Sequence, residues 1–446
     1  MKFSCGLMAL SITSCFAANI PGGLLLQAQH DTSTGSGQSY IFKADENVRL
    51  LNLHGSYNDM GREYGALQKV QLNTMYHAYQ HYFQPGSQGE SIRMYYSKLI
   101  ANEEKSLLQG ISETSGLSYQ EALSLDVLPI VLISASGESF NHTLDSKFGL
   151  TPLAVIRSSH CSFLSVKGDK AYKDHSLVLR NMDFNTFAKA FLPYTLIVIY
   201  HPNNGDNSVA TIGFTGFISG HTVINNKHIF IARNDASTSV PGNNLKGAVD
   251  SMRTMFYTAL KPSTYDLSTT IRNLSGKTAI VSAILGVAAK DGSGTVYAPV
   301  TSVTESYPVL NANYNYFTNL YHQTKKPYPK EALTEETCVS QEGLHPPKDS
   351  ASHACTRYQH IAKFVADHQH INVDQLKQFA SVSVDQGGIY QTGFLKKYPV
   401  EEVTLHSIVG DVTTGQYYLH VYNEETPKIQ QTTSWLPLDL AYFFQH

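Results

Sequence analysis

Cysteine is scarce in this chain: five in 446 residues, two of them within the first fifteen. No pair has C-x-x-C spacing and no H-E-x-x-H occurs, so neither a dithiol redox centre nor a standard zinc site can be read. The nineteen histidines are scattered and suggest no metal site. Charge is also thin. Only 15% of residues are charged, the net charge is −3, and there is no basic stripe, which excludes nucleic acid as an expected partner. Past the N-terminus no apolar run is long enough to cross a bilayer. The one glycine-rich stretch, Gly213 to Gly220, lacks the lysine and the following helix of a phosphate loop, so no cofactor is expected. What is present is a globular composition, 42% hydrophobic.

The N-terminus reads as an export signal over residues 1–18. Lys2 gives the positive start, Phe3 to Ile12 the short apolar run, and Ala17-Ala18 a small-residue cleavage site. The alternative is a lipoprotein box, Ile12-Thr-Ser-Cys15, with Cys15 as the lipidated anchor. Either way the body is expected outside the cytoplasm, periplasmic or secreted, where thiols tend to pair. Cys338 and Cys355 flank a polar, proline-containing loop and are the natural disulfide, which leaves Cys161 unpaired.

Cys161 opens the run Cys-Ser-Phe-Leu-Ser-Val166, followed by the turn Lys167-Gly-Asp-Lys170 and a second apolar run from Ser176. That pattern predicts a β-hairpin. The second strand leaves through Arg180-Asn-Met-Asp183, so Arg180 and Asp183 lie beside Cys161. A guanidinium next to a thiol favours the thiolate. Nucleophile, activating charge and orienting carboxylate are the parts of a covalent hydrolase.

Cys161…Arg180-Asn-Met-Asp183 resembles the opening signature of the cysteine N-terminal-nucleophile (Ntn) hydrolases. These are the choloylglycine hydrolases, the penicillin V acylases and the autoproteolytic acyltransferases related to isopenicillin-N acyltransferase (peptidase C45). His160 stands where the precursor type has glycine. The segment His54 to Gly65 is similar to the acyltransferase opening, and Gly110 to Leu123 to its pro-region. Residues 221–234 resemble the family's strand pair that carries two asparagines, here Asn225 and Asn234. Tyr307 to Tyr314 resembles its oxyanion-binding strand end, which implies Asn313 with Asn311 as the alternative. Thr356-Arg357 matches the position of a second active-site arginine.

The resemblance implies an α+β, four-layer αββα sandwich of antiparallel sheets. It implies a mostly helical pro-segment at 19–160 (α chain), cut at His160–Cys161 from a catalytic domain at 161–446 (β chain), the two chains staying associated. It also implies that the free α-amine of Cys161 is the base, that Asp183 orients it, and that Arg180 and Arg357 set the electrostatics. Asn234 and Asn313 would then hold the oxyanion. The expected substrate is a small N-acyl amide, cleaved at a linear C–N bond by hydrolysis or acyl transfer through a thioester. The alternatives are a lipid-ester or ceramide-type hydrolase on the same fold, or an exported binding protein without catalysis.

Periodicity fills in the rest. Residues 19–40, rich in Gly, Ser, Thr and Gln, are expected to be poorly ordered. Helices are expected over 57–83, over 91–112 and from Ser118, where Ser118…Glu121 forms a capping box. Residues 134–151 read as a linker. Further helices are expected at 246–259, 268–274 and 356–365, with hairpins at 280–303 and 404–422.

Overall fold

The computed structural model describes residues 23–135, 161–235, 250–275, 283–298, 305–308, 313–319, 350–391, 402–422 and 435–445. The expected export segment, His160, Asn311, Cys338 and most of the expected 134–151 linker lie outside these residues.

Three strands come first: β1 (Leu24–Asp31), β2 (Ser36–Phe42) and β3 (Asp45–Gly55). The expectation of disorder over 19–40 is corrected from residue 24 onward, because the polar residues of β1 and β2 sit in an antiparallel ladder that satisfies their backbone. Five helices follow: α1 (Tyr57–Leu67), α2 (Lys69–Tyr79), α3 (Gln88–Tyr96), α4 (Asn102–Ser115) and α5 (Tyr119–Ala135). The single helix expected over 57–83 breaks at Gln68, whose φ of −115° and ψ of 16° are not helical. Ser118 Oγ accepts from the Glu121 N–H and Glu121 Oε2 accepts from the Ser118 N–H, so the capping box forms as read.

After Cys161 come β4 (Ser162–Gly168), β5 (Asp174–Asn185), β6 (Thr195–Pro202), β7 (Val209–Phe214), β8 (Thr222–Asn225) and β9 (Phe230–Asp235). Next are α6 (Ser251–Leu260), α7 (Leu267–Leu274), β10 (Ala283–Ala289), β11 (Gly292–Ala298), β12 (Glu305–Pro308) and β13 (Tyr314–Phe317). The chain closes with α8 (Ser350–Asp367), α9 (Val373–Ser381), β14 (Glu402–Asp411), β15 (Gln416–Val421), β16 (Leu436–Asp439) and the single turn α10 (Leu440–Phe443).

Among the described residues two sheets result. One runs β1-β2-β3-β6-β7-β8-β9-β10-β11-β12; the other runs β13-β4-β5-β14-β15-β16. All pairings are antiparallel except β3 with β6. The segment before Cys161 is therefore not only helical: it supplies three of the ten strands of the larger sheet.

Alternation along the strands explains the layering. Ile197 and Ile199 point to a core shared with Phe163, Val178 and Ile408 of the second sheet. Their neighbours Leu196, Val198 and Tyr200 point the other way, to Met60 and Tyr64 of α1, Leu108 of α4, and Met255 and Phe256 of α6. The outer face of the second sheet, Leu164, Val166 and Leu179, meets Ile361, Val365 and Leu376 of α8 and α9. The order is helices, sheet, sheet, helices, in an α+β protein.

Candidate active site

The site is set by the β4–β5 register. Ser162 pairs with Asn181 and Phe163 with Arg180, so Cys161 falls one residue past the last pair, beside Met182. Cys161 shares the inward face with Phe163, and across the ladder with Arg180 and Met182. Ser162, Asn181 and Asp183 face the opposite way, toward α8 and α9. The two faces are then wired separately.

On the inner face Arg180 Nη2 lies 3.7 Å from Cys161 Sγ and donates to the Arg233 carbonyl at 2.9 Å. Its Nη1 contacts His406 Nε2 at 3.3 Å. On the outer face Arg357, fully buried, gathers the backbone around Cys161. Its Nη1 donates to the Cys161 carbonyl at 2.8 Å, to Ser162 Oγ at 2.6 Å and to Asp183 Oδ2 at 3.3 Å. Its Nη2 donates to Asn319 Oδ1 at 3.1 Å. Asp183 is held further by Thr404 Oγ1 at 2.6 Å and Gln391 Nε2 at 3.4 Å. The Asp183 carbonyl lies 3.9 Å from Cys161 Sγ.

The nitrogen of Cys161 donates to Asn319 Oδ1 at 3.0 Å, and Asn319 Nδ2 donates to the Asp235 carbonyl at 2.6 Å. Asn319 therefore sits on the Cys161 nitrogen, and it is not among the sequence-expected residues. The β13–β4 register brings it there: Tyr314 sits opposite Val166 and Phe317 opposite Phe163, which carries Asn319 to Cys161. The same register places Asn313 at the far end. There its carbonyl accepts from the Lys167 N–H and its side chain bonds Asp169 in the hairpin turn. Asn313 is thus corrected from oxyanion donor to turn residue. Asn225 is structural too, since its Nδ2 donates to the carbonyls of Ala259 and Thr264. Asn234 is buried near the site. Its Nδ2 contacts the Thr318 carbonyl at 3.4 Å, and its Oδ1 has no hydrogen-bond partner among the described residues.

Electrostatics overturn one expectation. The Arg180 guanidinium does favour the thiolate, but Cys161 is only 3% exposed. Burial pushes its thiol up to about 11; Arg180 opposes that, and Asp183 and Asp235 reinforce it. At neutral pH the sulfur is a thiol, and it needs a base to become a nucleophile. His221 and His406 do not serve as such bases in the usual way, since burial and the nearby Arg180 hold both well below the ordinary histidine range. Cys161 is the free cysteine among the described residues. Cys355 is buried, and its expected partner Cys338 lies outside them. Among the described residues no group of three or more His, Cys, Asp or Glu could hold a metal, and no helix is long and apolar enough to cross a membrane.

No protein-family model and no curated protein matches the sequence. Solved structures do resemble the fold. A mutant of the conjugated bile acid hydrolase from Clostridium perfringens matches over 63% of this chain and 93% of its own, at 13% identity and a TM-score of 0.39. Penicillin V acylase from Agrobacterium tumefaciens matches over 58% and 83%, at 12% identity and a TM-score of 0.37. The Caenorhabditis elegans N-acylethanolamine-hydrolyzing acid amidase ortholog matches over 57% and 93%, at 12% identity and a TM-score of 0.35. These likenesses are weak and concern the fold alone.

Proposed function

We propose that this is an exported, self-processing cysteine hydrolase that cleaves the linear amide bond of a small N-acyl substrate through a thioester on Cys161. The observation that carries the reading is the pair of contacts on one residue: Arg180 Nη2 at 3.7 Å from its sulfur and Asn319 Oδ1 at 3.0 Å from its nitrogen. A structural cysteine needs neither.

In the uncut chain that nitrogen is an amide and cannot take a proton. Attack of Sγ on the preceding carbonyl, with transfer of the acyl group from nitrogen to sulfur, gives a thioester that water opens. The products are a carboxylate at His160 and a free α-amine at Cys161. An α-amine titrates near 7.7–8.0 in unperturbed peptides, which suits proton transfer at neutral pH. It would supply the base that the buried thiol lacks.

In turnover the amine takes the thiol proton as Sγ bonds the substrate carbonyl carbon. Asn319 Oδ1 accepts one amine hydrogen and keeps the lone pair directed at the sulfur. The oxyanion is received by Asn234 Nδ2 and backbone N–H groups; one such donor is typically worth about 3–4 kcal/mol. The amine then protonates the leaving nitrogen, the C–N bond breaks, and water or an acceptor amine resolves the thioester. Arg357 and Asp183 hold the backbone around Cys161 throughout.

The test is a panel of N-acyl amides (conjugated bile salts, penicillin V, N-acyl amino acids) and lipid esters, with wild type and Cys161→Ala. Amide turnover lost in Cys161→Ala is expected. Turnover confined to esters would move the reading to a lipid hydrolase, and turnover surviving in Cys161→Ala would exclude Cys161 as the nucleophile.

A further inference from the structure

Arg180 is fixed at both ends of its guanidinium, and one of those ends is a residue with no place in the mechanism so far. Nη2 reaches the Arg233 carbonyl and the sulfur; Nη1 reaches His406 Nε2 at 3.3 Å. His406 is on β14, two strands from Cys161, and its presence on this face depends on an irregularity. Thr404 pairs with Asp183, but His406 pairs with Met182, so Leu405 is an extra residue in the ladder. In a regular strand Thr404 and His406 would point to the same side. The β-bulge shifts the phase by one. Thr404 therefore reaches Asp183 on the outer face, and His406 reaches Arg180 on the inner one.

We propose that His406 is the positioning residue for Arg180: its Nε2 accepts from Nη1 and so holds Nη2 against the Cys161 sulfur. The inference rests on the reading of Cys161 as nucleophile. A guanidinium has donors only, so the contact requires a neutral ring with Nε2 unprotonated and the hydrogen on Nδ1. Nδ1 has no hydrogen-bond partner among the described residues, so no competing bond selects the other tautomer. The ring is buried beside Phe214, with centroids 6.2 Å apart. The charged and titratable groups that act on it or that it acts on are Arg180 of β5 and His221 just before β8. Burial first and Arg180 second keep His406 neutral. Protonation would set two cations in contact and release Arg180.

Two readouts on the full-length protein test this. Nitrogen-15 NMR of histidine-labelled protein, with the His406 signal assigned by its loss in His406→Gln, is expected to show the Nδ1–H tautomer at neutral pH; the Nε2–H tautomer would overturn the proposal. The second readout is the rate of Cys161 alkylation by iodoacetamide against pH, located by peptide mass. His406→Phe is expected to lower the rate at fixed pH about tenfold, the effect of one unit in the thiol pKa. His406→Gln, which keeps an acceptor at similar reach, is expected to stay within about twofold of wild type, a difference under about 0.5 kcal/mol. Equal loss in the Gln and Phe variants with the fold intact by circular dichroism would reduce His406 to a packing residue. Neither readout uses substrate. Failure of the hydrolase reading therefore shows separately, as amide turnover that survives in Cys161→Ala.

Discussion

Arg357 carries the buried ion pair to Asp183 at the centre of the site, and its removal should be felt most. Arg357→Met would leave Asp183 buried without its cation, a loss typically costing about 3–5 kcal/mol. Urea unfolding of Arg357→Met against wild type measures it, and a shift under 1 kcal/mol would mean that Thr404 and Gln391 suffice for the carboxylate. The thiol offers a second prediction at this scale. With its pKa pushed up to about 11, the unprotonated fraction of Cys161 in the uncut chain rises about tenfold per pH unit through neutrality and mild alkali. Alkylation of Cys161 in the uncut chain should follow that slope without levelling off below pH 10. A plateau near pH 8 would show that Arg180 outweighs burial. The sequence placed Cys161, Arg180 and Asp183 on one hairpin, where spacing sets proximity, but not their faces: Arg180 shares the face of Cys161, and Asp183 lies on the other, against Arg357. It did not make Asn319, Thr404, Gln391 and His406 legible, because they arrive from distant segments through register and a bulge. Nothing local marks Leu405 as the extra residue.

Helix α1 meets α4 through Gly61 and Gly65, one turn apart on one face. A Cβ built on Gly61 would collide with the Leu107 carbonyl, and one on Gly65 with Thr114 and the Ile111 carbonyl. Gly61→Ala is expected to destabilise by about 1–3 kcal/mol, as overpacking does, read as a lower midpoint in urea; an unchanged midpoint would mean the helices can part freely. A second tie is electrostatic. Arg253 of α6 pairs with Glu104 of α4 at 2.7 Å and with Asp126 of α5 at 2.5 Å, while Asp126 Oδ1 also accepts from the Ile218 N–H. Burial raises Glu104 to about 8, with Arg253 opposing and Asp126 reinforcing. The folded chain therefore holds a proton on Glu104 that the unfolded chain releases above its usual carboxylate pKa. This contribution is full at acid pH and falls as pH rises from about 4.5 toward 8. The melting temperature should decline over that window, and Glu104→Gln should flatten the decline; an equal slope in both proteins would assign the proton elsewhere. The helix breaks at Gln68 and between α3 and α4 were not legible. Periodicity runs across them, while α2, α3 and α4 each turn to pack against α5.

At the scale of the whole molecule, the segment before Cys161 and the body after it are one structure. β3 runs parallel to β6 from Arg49 opposite Leu196 to Gly55 opposite Pro202, and β1 and β2 extend the same sheet. The expectation of a mostly helical pro-segment came from the resemblance, together with the 3.6-residue pattern of residues 57–83 and 91–112. It overlooked β1 and β2, whose polar residues look like a tail until a partner strand is present. Cleavage between residues 160 and 161 should therefore not separate the pieces: they should run together on a sizing column and apart on a denaturing gel. Cleavage itself is the point on which the chemistry turns, because only a cut chain has an amine at Cys161. The most direct measurement is the intact mass of purified wild type beside Cys161→Ala. Wild type should give two chains, the second beginning at Cys161, and Cys161→Ala a single uncut chain; a whole wild-type chain that turns over substrate, or a Cys161→Ala chain cut at the same bond, would contradict it.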